Sequence, residues 1–495
     1  MRMPPSRRRM SREVGPPGQR SDVATDVNNP SLEDHVWDVV VVGGGNAGLV
    51  AAIVARERGL EVLVLEAAPP EMRAGNTRHT RNIRCAHSEP TSSAQGTYTT
   101  DELYEDLCSV GARPVDETLA RLTVVQSATI PDWMTGHGVR WQPPLRGVLN
   151  LNRTNHFFLG GGRALANHYY WLAERKGVRV RYKAKVTNIE LQDNLALAVI
   201  VSTGTLHRRI RARAFILACG GFEANRGLLE RYWGSAAANF VVRGTPFNDG
   251  TVLSLMTRAG AETAGDGKGF HAIAVDARSP MFDGGISTRV DCIPFGVVVN
   301  MLAQRFADEG EEIWPKRYAS WGQLIASQPN QTAVAIYDSK VRGRFVPSVY
   351  PPYESDSIEG LALMVGLPRQ RLTETIANFN SHVTQGSAFN PNQPDWCTTV
   401  GLEPAKSNWA LRIDKAPYFA IPLRPGVTFT FLGLAIDSNA QVRMRDSRTF
   451  RNVYAAGEVM SGNVLSGGYL AGFGLAIGTV FGRIAGSHVL MTSAL

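Results

Sequence analysis

Three glycines and a glutamate are spaced to hold a dinucleotide. Residues 38–66 read DVVVVGGGNAGLVAAIVARERGLEVLVLE, in which Gly43, Gly45 and Gly48 give G-x-G-x-x-G and Glu66 closes the segment. Glycines at these positions let backbone approach a pyrophosphate, which sits on the positive N-terminus of the following helix. Asn46 and Ala47, between the second and third glycine, belong to the same contact. Glu66 stands 23 residues after Gly43, where a carboxylate accepts from an adenosine ribose hydroxyl. Its charge repels a 2′-phosphate, so the motif predicts FAD or NAD rather than NADP.

The motif counts because of the elements around it. Val39 to Val42 is a β-branched run suited to a buried parallel strand, and an apolar helical stretch runs from Leu49 to about Arg58. Gly59 ends that stretch, and Glu61 to Leu65 is a second strand. Further along, helical patterns are expected at 101–109, 116–129 and 163–176. Strands are expected at Val178–Tyr182, Ala184–Leu191 and as a pair within 196–219. The section from about 240 to 420 changes character, with short strands at Pro294–Asn300 and Ala333–Tyr337. A helix from Pro368 to His382 places Pro in its first turn. The last 70 residues return to an α/β pattern, with a strand at Asn452–Ala456. Such alternation implies a nucleotide-binding domain in two pieces, 36–250 and 425–495, with residues 251–424 inserted between them.

Composition narrows the function. The chain has 495 residues, 44% of them hydrophobic, and a formal net charge of +8. Six arginines against three acids in the first 26 residues place +3 of that charge in a Pro-, Arg- and Ser-rich tail, and residues 1–34 read as disordered. No nucleic-acid motif accompanies the charge, and the remaining excess suits an anionic substrate. The cysteines, Cys85, Cys108, Cys219, Cys292 and Cys397, are odd in number and lack C-x-x-C spacing. They predict buried thiols in a reducing, cytoplasmic setting, with no disulfide framework and no metal site. Tyr469 to Phe481 is apolar but glycine-rich and too short to span a bilayer, so a buried helix and a protein that is not itself transmembrane are expected.

Several motifs together resemble the succinate dehydrogenase and fumarate reductase flavoprotein family. They are GGGNAGLVAAIVARERG at the start, GGRALANHYYWLAERKGVRV from 161, ILACGGF from 216, NDG from 248, QRFADE from 304, GLPRQRLTETIANFN from 366 and VYAAGEV from 453. Within it, GNTRHTRNIRCAH (75–87), KGFHAIAVDAR (268–278), DEGEEIWPKRYASWG (308–322) and GNVLSGGYLAGFG (462–474) are similar to the tricarballylate dehydrogenase branch. The resemblance implies FAD and an α/β fold, namely a Rossmann-like FAD-binding domain with an inserted α+β substrate-capping domain. It places cofactor contacts at Gly43, Gly45, Gly48, Glu66, Asn76, Thr77, Val186, Gly220, Gly221, Gly457 and Glu458. Leu470 and Ala471 would present N–H groups to the flavin from a helix N-terminus. Asn76 occupies the position where membrane-bound relatives attach FAD to a histidine, so the FAD is expected to be non-covalent.

For the active site the resemblance implies Arg317 as catalytic base, with Tyr318 at the family's usual aspartate. His271 falls beside a substrate histidine, and Thr288 falls on a substrate-binding threonine. Arg289 stands in place of a proton-relay glutamate, and Tyr469 in place of a substrate arginine. The family's H-x-T-M-G-G becomes Thr428-Phe429-Thr430-Phe431-Leu432-Gly433, without the histidine. A different acid could be held by Arg289 and Arg84, since arginine grips carboxylates bidentately. The expected reaction is oxidation of a small, tricarballylate-like polycarboxylic acid to the alkene by hydride transfer to flavin N5. Arg317 would act as base, with Tyr318 and His271 in reserve. Electrons would leave to a separate acceptor, such as a membrane-associated iron–sulfur protein. Two alternatives stand beside it: a 3-ketosteroid dehydrogenase-like or fumarate reductase-like flavoenzyme, and a flavoprotein electron-transfer or biosynthetic partner without independent turnover. An apolar pocket with paired tyrosines would favour the steroid, and one lined by Arg84, Arg289 and Arg317 the acid.

Overall fold

The computed structural model describes residues 35–111, 116–144, 150–282, 289–311, 318–384, 389–391 and 393–492. The tail at 1–34, Thr288 and Arg317 lie outside these segments.

Val36–Val42, wholly apolar at its C-terminal end, forms the centre of an eight-stranded sheet. It is flanked in parallel by Val62–Leu65 and Leu206–Leu217. Arg179–Arg181 and Thr449–Ala455 extend the parallel part outward, and Gln441–Arg443 closes one edge antiparallel. Lys185–Gln192 and Leu195–Thr203 add an antiparallel meander beside Leu206–Leu217. The strand from the far end of the chain therefore lies in the same sheet as the glycine-rich turn and delivers Gly457 and Glu458 to it.

A second, six-stranded sheet is built on the long strand Tyr418–Thr430. Phe270–Asp276, Ala333–Asp338 and Tyr353–Ser355 pair with it antiparallel, and Val241–Val242 pairs parallel with Gly426–Val427. Val297–Asn300 extends it beyond Ala333–Asp338. Both faces are covered. Val298 joins the core beneath Trp321, whereas Val297 and Val299 join a core with Leu361, Leu372 and Phe379, as a period of two requires.

Local chemistry moves several element ends. The helix after Leu367 begins at Arg369, because Pro368 has ψ 111° and serves as its cap; its carbonyl accepts from Leu372 N at 2.9 Å. Ile293–Phe295 is a 3-10 turn, so the strand there starts at Val297 and not at Pro294. The helix expected over 116–129 ends at Ser127, and Pro131 opens a second one, Ile130–Gly136.

The glycine-rich C-terminal stretch forms the helix Phe473–Thr492, which packs on Asn46–Glu57. Glycines recur at every fourth residue, 474, 478, 482 and 486, and so share one face. A Cβ at Gly482 would lie 2.6 Å from Ala47 O, and one at Gly486 would lie 2.5 Å from Ala51 O. Asn46 Nδ2 crosses the contact to Leu475 O at 3.2 Å and Thr479 Oγ1 at 3.0 Å.

Candidate active site

The cleft lies where the parallel strands end and the helix Asn46–Glu57 begins. Its lining combines the glycine-rich turn, the end of the second strand and the start of the helix Asn46–Glu57, the arrangement that holds a dinucleotide. Gly43, Gly45, Asn46, Ala47, Glu66, Asn76, Thr77, Val186, Gly220, Gly457 and Glu458 all line it, as do Thr428, Phe429 and Tyr469.

The glycines divide by task. Gly43 has φ +105°, and a Cβ there would meet Ala218 O at 2.3 Å. Gly48 does not line the cleft; a Cβ there would lie 2.0 Å from Gly43 O, so its absence lets helix and turn close. Gly45 differs, since the nearest atom to its would-be Cβ is Thr77 Oγ1 at 3.6 Å. The space it leaves belongs to the cleft, which is the cradle a pyrophosphate needs. Gly221 also lies behind the wall, where a Cβ would strike Thr430 Oγ1 and Glu458 Oε1.

Glu66 ends the second strand and is buried. It accepts from Ala68 N (2.9 Å), Ala74 N (3.3 Å) and Tyr170 OH (3.1 Å). Burial outweighs these bonds and raises its pKa. A further backbone bond comes from Gly44, and Glu66 lines the cleft at the place the sequence motif assigns to a ribose hydroxyl. Leu470 and Ala471 lie in the turn before the helix, which starts only at Phe473. Ala471 O is taken by Asn155 Nδ2 (2.7 Å) and Arg84 Nε (3.2 Å).

At the cleft wall sits a pair of carboxyl groups, one lining the cleft and one beside it, that sequence reasoning missed in half. Glu458 was expected; its partner Glu223 follows the ILACGGF motif directly, and that adjacency was the available signal. Glu223 Oε1 accepts from Asn76 Nδ2 (2.6 Å) and Asn248 Nδ2 (2.7 Å). Glu458 Oε1 accepts from Thr430 N (2.8 Å), and its Oε2 lies 3.4 Å from Asn248 Nδ2. These donors are neutral amides. Burial pushes Glu223 up to about 7, and burial together with the Glu223 charge pushes Glu458 well above the usual carboxylate range. Two acids this close hold one proton between them. Asn76 is fixed by hydrogen bonds on both sides, since its Nδ2 also donates to Thr428 O at 2.7 Å and its Oδ1 accepts from Thr245 N at 2.8 Å.

The substrate side is aromatic and cationic. The pairing shifts register between His271 and Ala272, which leaves Thr428 of the long strand as the extra, bulged residue opposite them. The His271 ring stacks on Tyr469 with centroids 4.1 Å apart and a 14° interplanar angle, and Tyr318 meets it edge-on at 6.4 Å. Phe429 packs on Tyr469 at 5.5 Å. His271 Nδ1 is buried without a hydrogen-bond partner. Burial, with the charge of Arg243, lowers His271 to about 3, so it is a neutral ring and a weak base at ordinary pH. The Tyr469 hydroxyl accepts from Gly474 N at 3.2 Å, and burial raises its pKa, so it stays protonated.

Arg289 lies 5.4 Å from the Tyr318 ring centre and holds Asp291 through two 2.6 Å bonds. Arg84, in contrast, is buried behind the 469–472 turn. Its guanidinium donates to Tyr98 OH (2.8 Å) and Ala471 O and lies 3.5 Å from Asp106, so its donors support the turn and do not face the aromatic group. Two arginines were missed. Partial burial and the Arg289 charge lower the pKa of Arg81. Arg243 stands beside His271 and donates to Thr428 Oγ1 at 3.3 Å. Arg81 lies within the 75–87 motif beside Arg84, whereas Arg243 lies in none of the quoted motifs.

The R-F-x-x-E segment proves to be an anchor. Arg305 grips Glu309 bidentately at 3.0 and 2.6 Å, and buried Lys406 donates to Pro294 O and Gly296 O. This fixes the chain just before the segment that carries Arg317.

A parallel-sheet cleft with a glycine cradle and a ribose-ready glutamate defines a dinucleotide-binding flavoprotein. The chain belongs to the FAD binding domain family, whose model matches residues 38–475, and it is an FAD-dependent oxidoreductase. It is 27% identical over 464 residues to a fumarate reductase (cytochrome) of Shewanella frigidimarina, covering 91% of this chain and 76% of that protein. It is 24% identical over 564 residues to a 3-oxosteroid 1-dehydrogenase of Mycobacterium tuberculosis, covering 92% and 98%. The fold matches the open conformation of a flavocytochrome c3 fumarate reductase with a TM-score of 0.71 at 23% identity, over 93% of this chain and 79% of that one. Among the described residues no helix is long and apolar enough to cross a membrane.

Two predictions follow from the cleft. Gly45→Ala should leave the apoprotein's thermal midpoint nearly unchanged yet weaken FAD binding at least about tenfold, because the methyl fills the cradle and not the core; equal FAD affinity would contradict this. The second concerns pH. Glu223 titrates higher folded than unfolded, so its contribution to stability is full below about 4.5 and is lost as pH rises through about 7. The apoprotein's midpoint should fall over that window, and less steeply in Glu223→Gln; parallel slopes would remove the shared proton from the account.

Proposed function

We propose that the protein oxidises a small polycarboxylic acid of the tricarballylate type to the corresponding alkene, with non-covalently bound FAD, in the cytoplasm. The observation that carries this reading is the gathering of Arg81, Arg243 and Arg289 around His271, Tyr318 and Tyr469. Arg289 is paired with Asp291, and Arg81 and Arg243 add two further positive charges. Like charges held together at a half-buried site favour binding of an anion.

Bound FAD supplies the hydride acceptor for this chemistry. The arginines clamp the carboxylates and so fix which carbon faces the cofactor. A cation on the carboxylate next to the α-carbon stabilises negative charge there as the proton leaves. The base role rests with Arg317, next in sequence to Tyr318. His271 and Tyr469, both neutral, contribute hydrogen bonds and shape. Electrons leave to a separate acceptor.

A second reading, a 3-ketosteroid dehydrogenase, draws on the aromatic group itself. Tyr469, Tyr318 and Phe429 offer an apolar face, and the Tyr469 hydroxyl could donate to a ketone.

Anaerobic titration of the FAD-loaded protein separates the two. Tricarballylate should bleach the oxidised flavin band at lower concentration than succinate, and a 3-ketosteroid should leave it unchanged. Bleaching by the steroid alone would overturn the polycarboxylate reading.

A further inference from the structure

The residues just after strand Val241–Val242 are pinned from two sides. Arg243 N donates to Val427 O at 2.8 Å, in the long strand of the second sheet. Thr245 N donates to Asn76 Oδ1 at 2.8 Å, in the wall of the cofactor cleft. Between them Gly244 approaches so closely that a Cβ would lie 2.2 Å from Asn76 Oδ1. Arg243 is therefore held at the junction of cleft and capping sheet. Its guanidinium reaches Thr428 Oγ1, and Thr428 lines the cleft. The next residue, Phe429, packs on Tyr469, which stacks on His271.

We propose that Arg243 is a substrate-carboxylate anchor and a specificity-determining residue, an assignment that rests on the polycarboxylate reading above. A neutral His271 cannot balance an anion, so a cation beside it must, and Arg243 is placed there by backbone bonds rather than by a flexible loop. Arg81 and Arg289 stand with Tyr318, and Arg243 with Thr428. Tyr318 and Thr428 reach the His271–Tyr469 stack by different routes, one directly and one through Phe429. Cations fixed at separate points select a molecule whose carboxylates match their spacing over one with fewer carboxylates, which makes fewer charge-assisted bonds.

The test is anaerobic flavin reduction in Arg243→Met and Arg243→Lys, with FAD content measured from absorbance. In Arg243→Met the half-saturating concentration of tricarballylate should rise at least tenfold. That for succinate should rise less, so the discrimination between the two acids collapses. Arg243→Lys, which keeps a point charge without the fork, should fall between. If Arg243→Met loses FAD, the Arg243→Lys variant decides, with discrimination intermediate or unchanged. Unchanged discrimination with FAD bound overturns the role of Arg243 and leaves the polycarboxylate reading standing. A wild-type protein that none of the acids reduces overturns both.

Discussion

Everything at the site depends on how closely two helices approach. The helix Asn46–Glu57 must aim its N-terminus at the cofactor, and Phe473–Thr492 must bring the Tyr469 turn beside it. Glycines 478, 482 and 486 make the approach possible, since each would carry a Cβ into or against the first helix. Gly474, one turn earlier on the same face, continues the ridge to Tyr469 and Phe429, where a Cβ would lie 2.7 Å from Tyr469 OH. One row of absent side chains thus connects the nucleotide turn with the substrate-side aromatics. The contact joins residues more than 400 positions apart, as in the bond from Asn46 Nδ2 to Leu475 O.

Charge is the second constraint. On the proposed function, a dianionic cofactor and an anionic substrate share a cleft whose wall holds Glu66 and Glu458, with Glu223 against Glu458. The structure separates these demands. Glu66 is surrounded by N–H and O–H donors, and the Glu223–Glu458 pair keeps a proton. Arg81, Arg243 and Arg289 stand on the far side, around His271 and Tyr318. The neutrality of His271 follows from that arrangement, because burial and a neighbouring arginine both oppose its protonation.

The cofactor half was legible in the chain because its constraints are local. A strand, three glycines, a helix and an acid follow one another in sequence, and each is set by backbone conformation. The substrate half was legible only in part. Arg84, inside a motif, looked available for a substrate, but its donors are directed by Tyr98 and Asp106, which lie 14 and 22 residues away in sequence. Arg81 lies in the same motif as Arg84 but was passed over, and Arg243 carries no local signal, since its placement comes from the pairing of Val241–Val242 with the long strand. The row of glycines was visible as composition, but its role needed the register between two distant helices.

The central claim is that recognition at this site is electrostatic and counts carboxylates. The most direct measurement compares anaerobic flavin reduction by tricarballylate with that by its trimethyl ester, which keeps the carbon skeleton and removes the charges. The account predicts reduction by the acid, weakening with added salt, and none by the ester at the same concentration. Equal reduction by both, or by the ester alone, would contradict it.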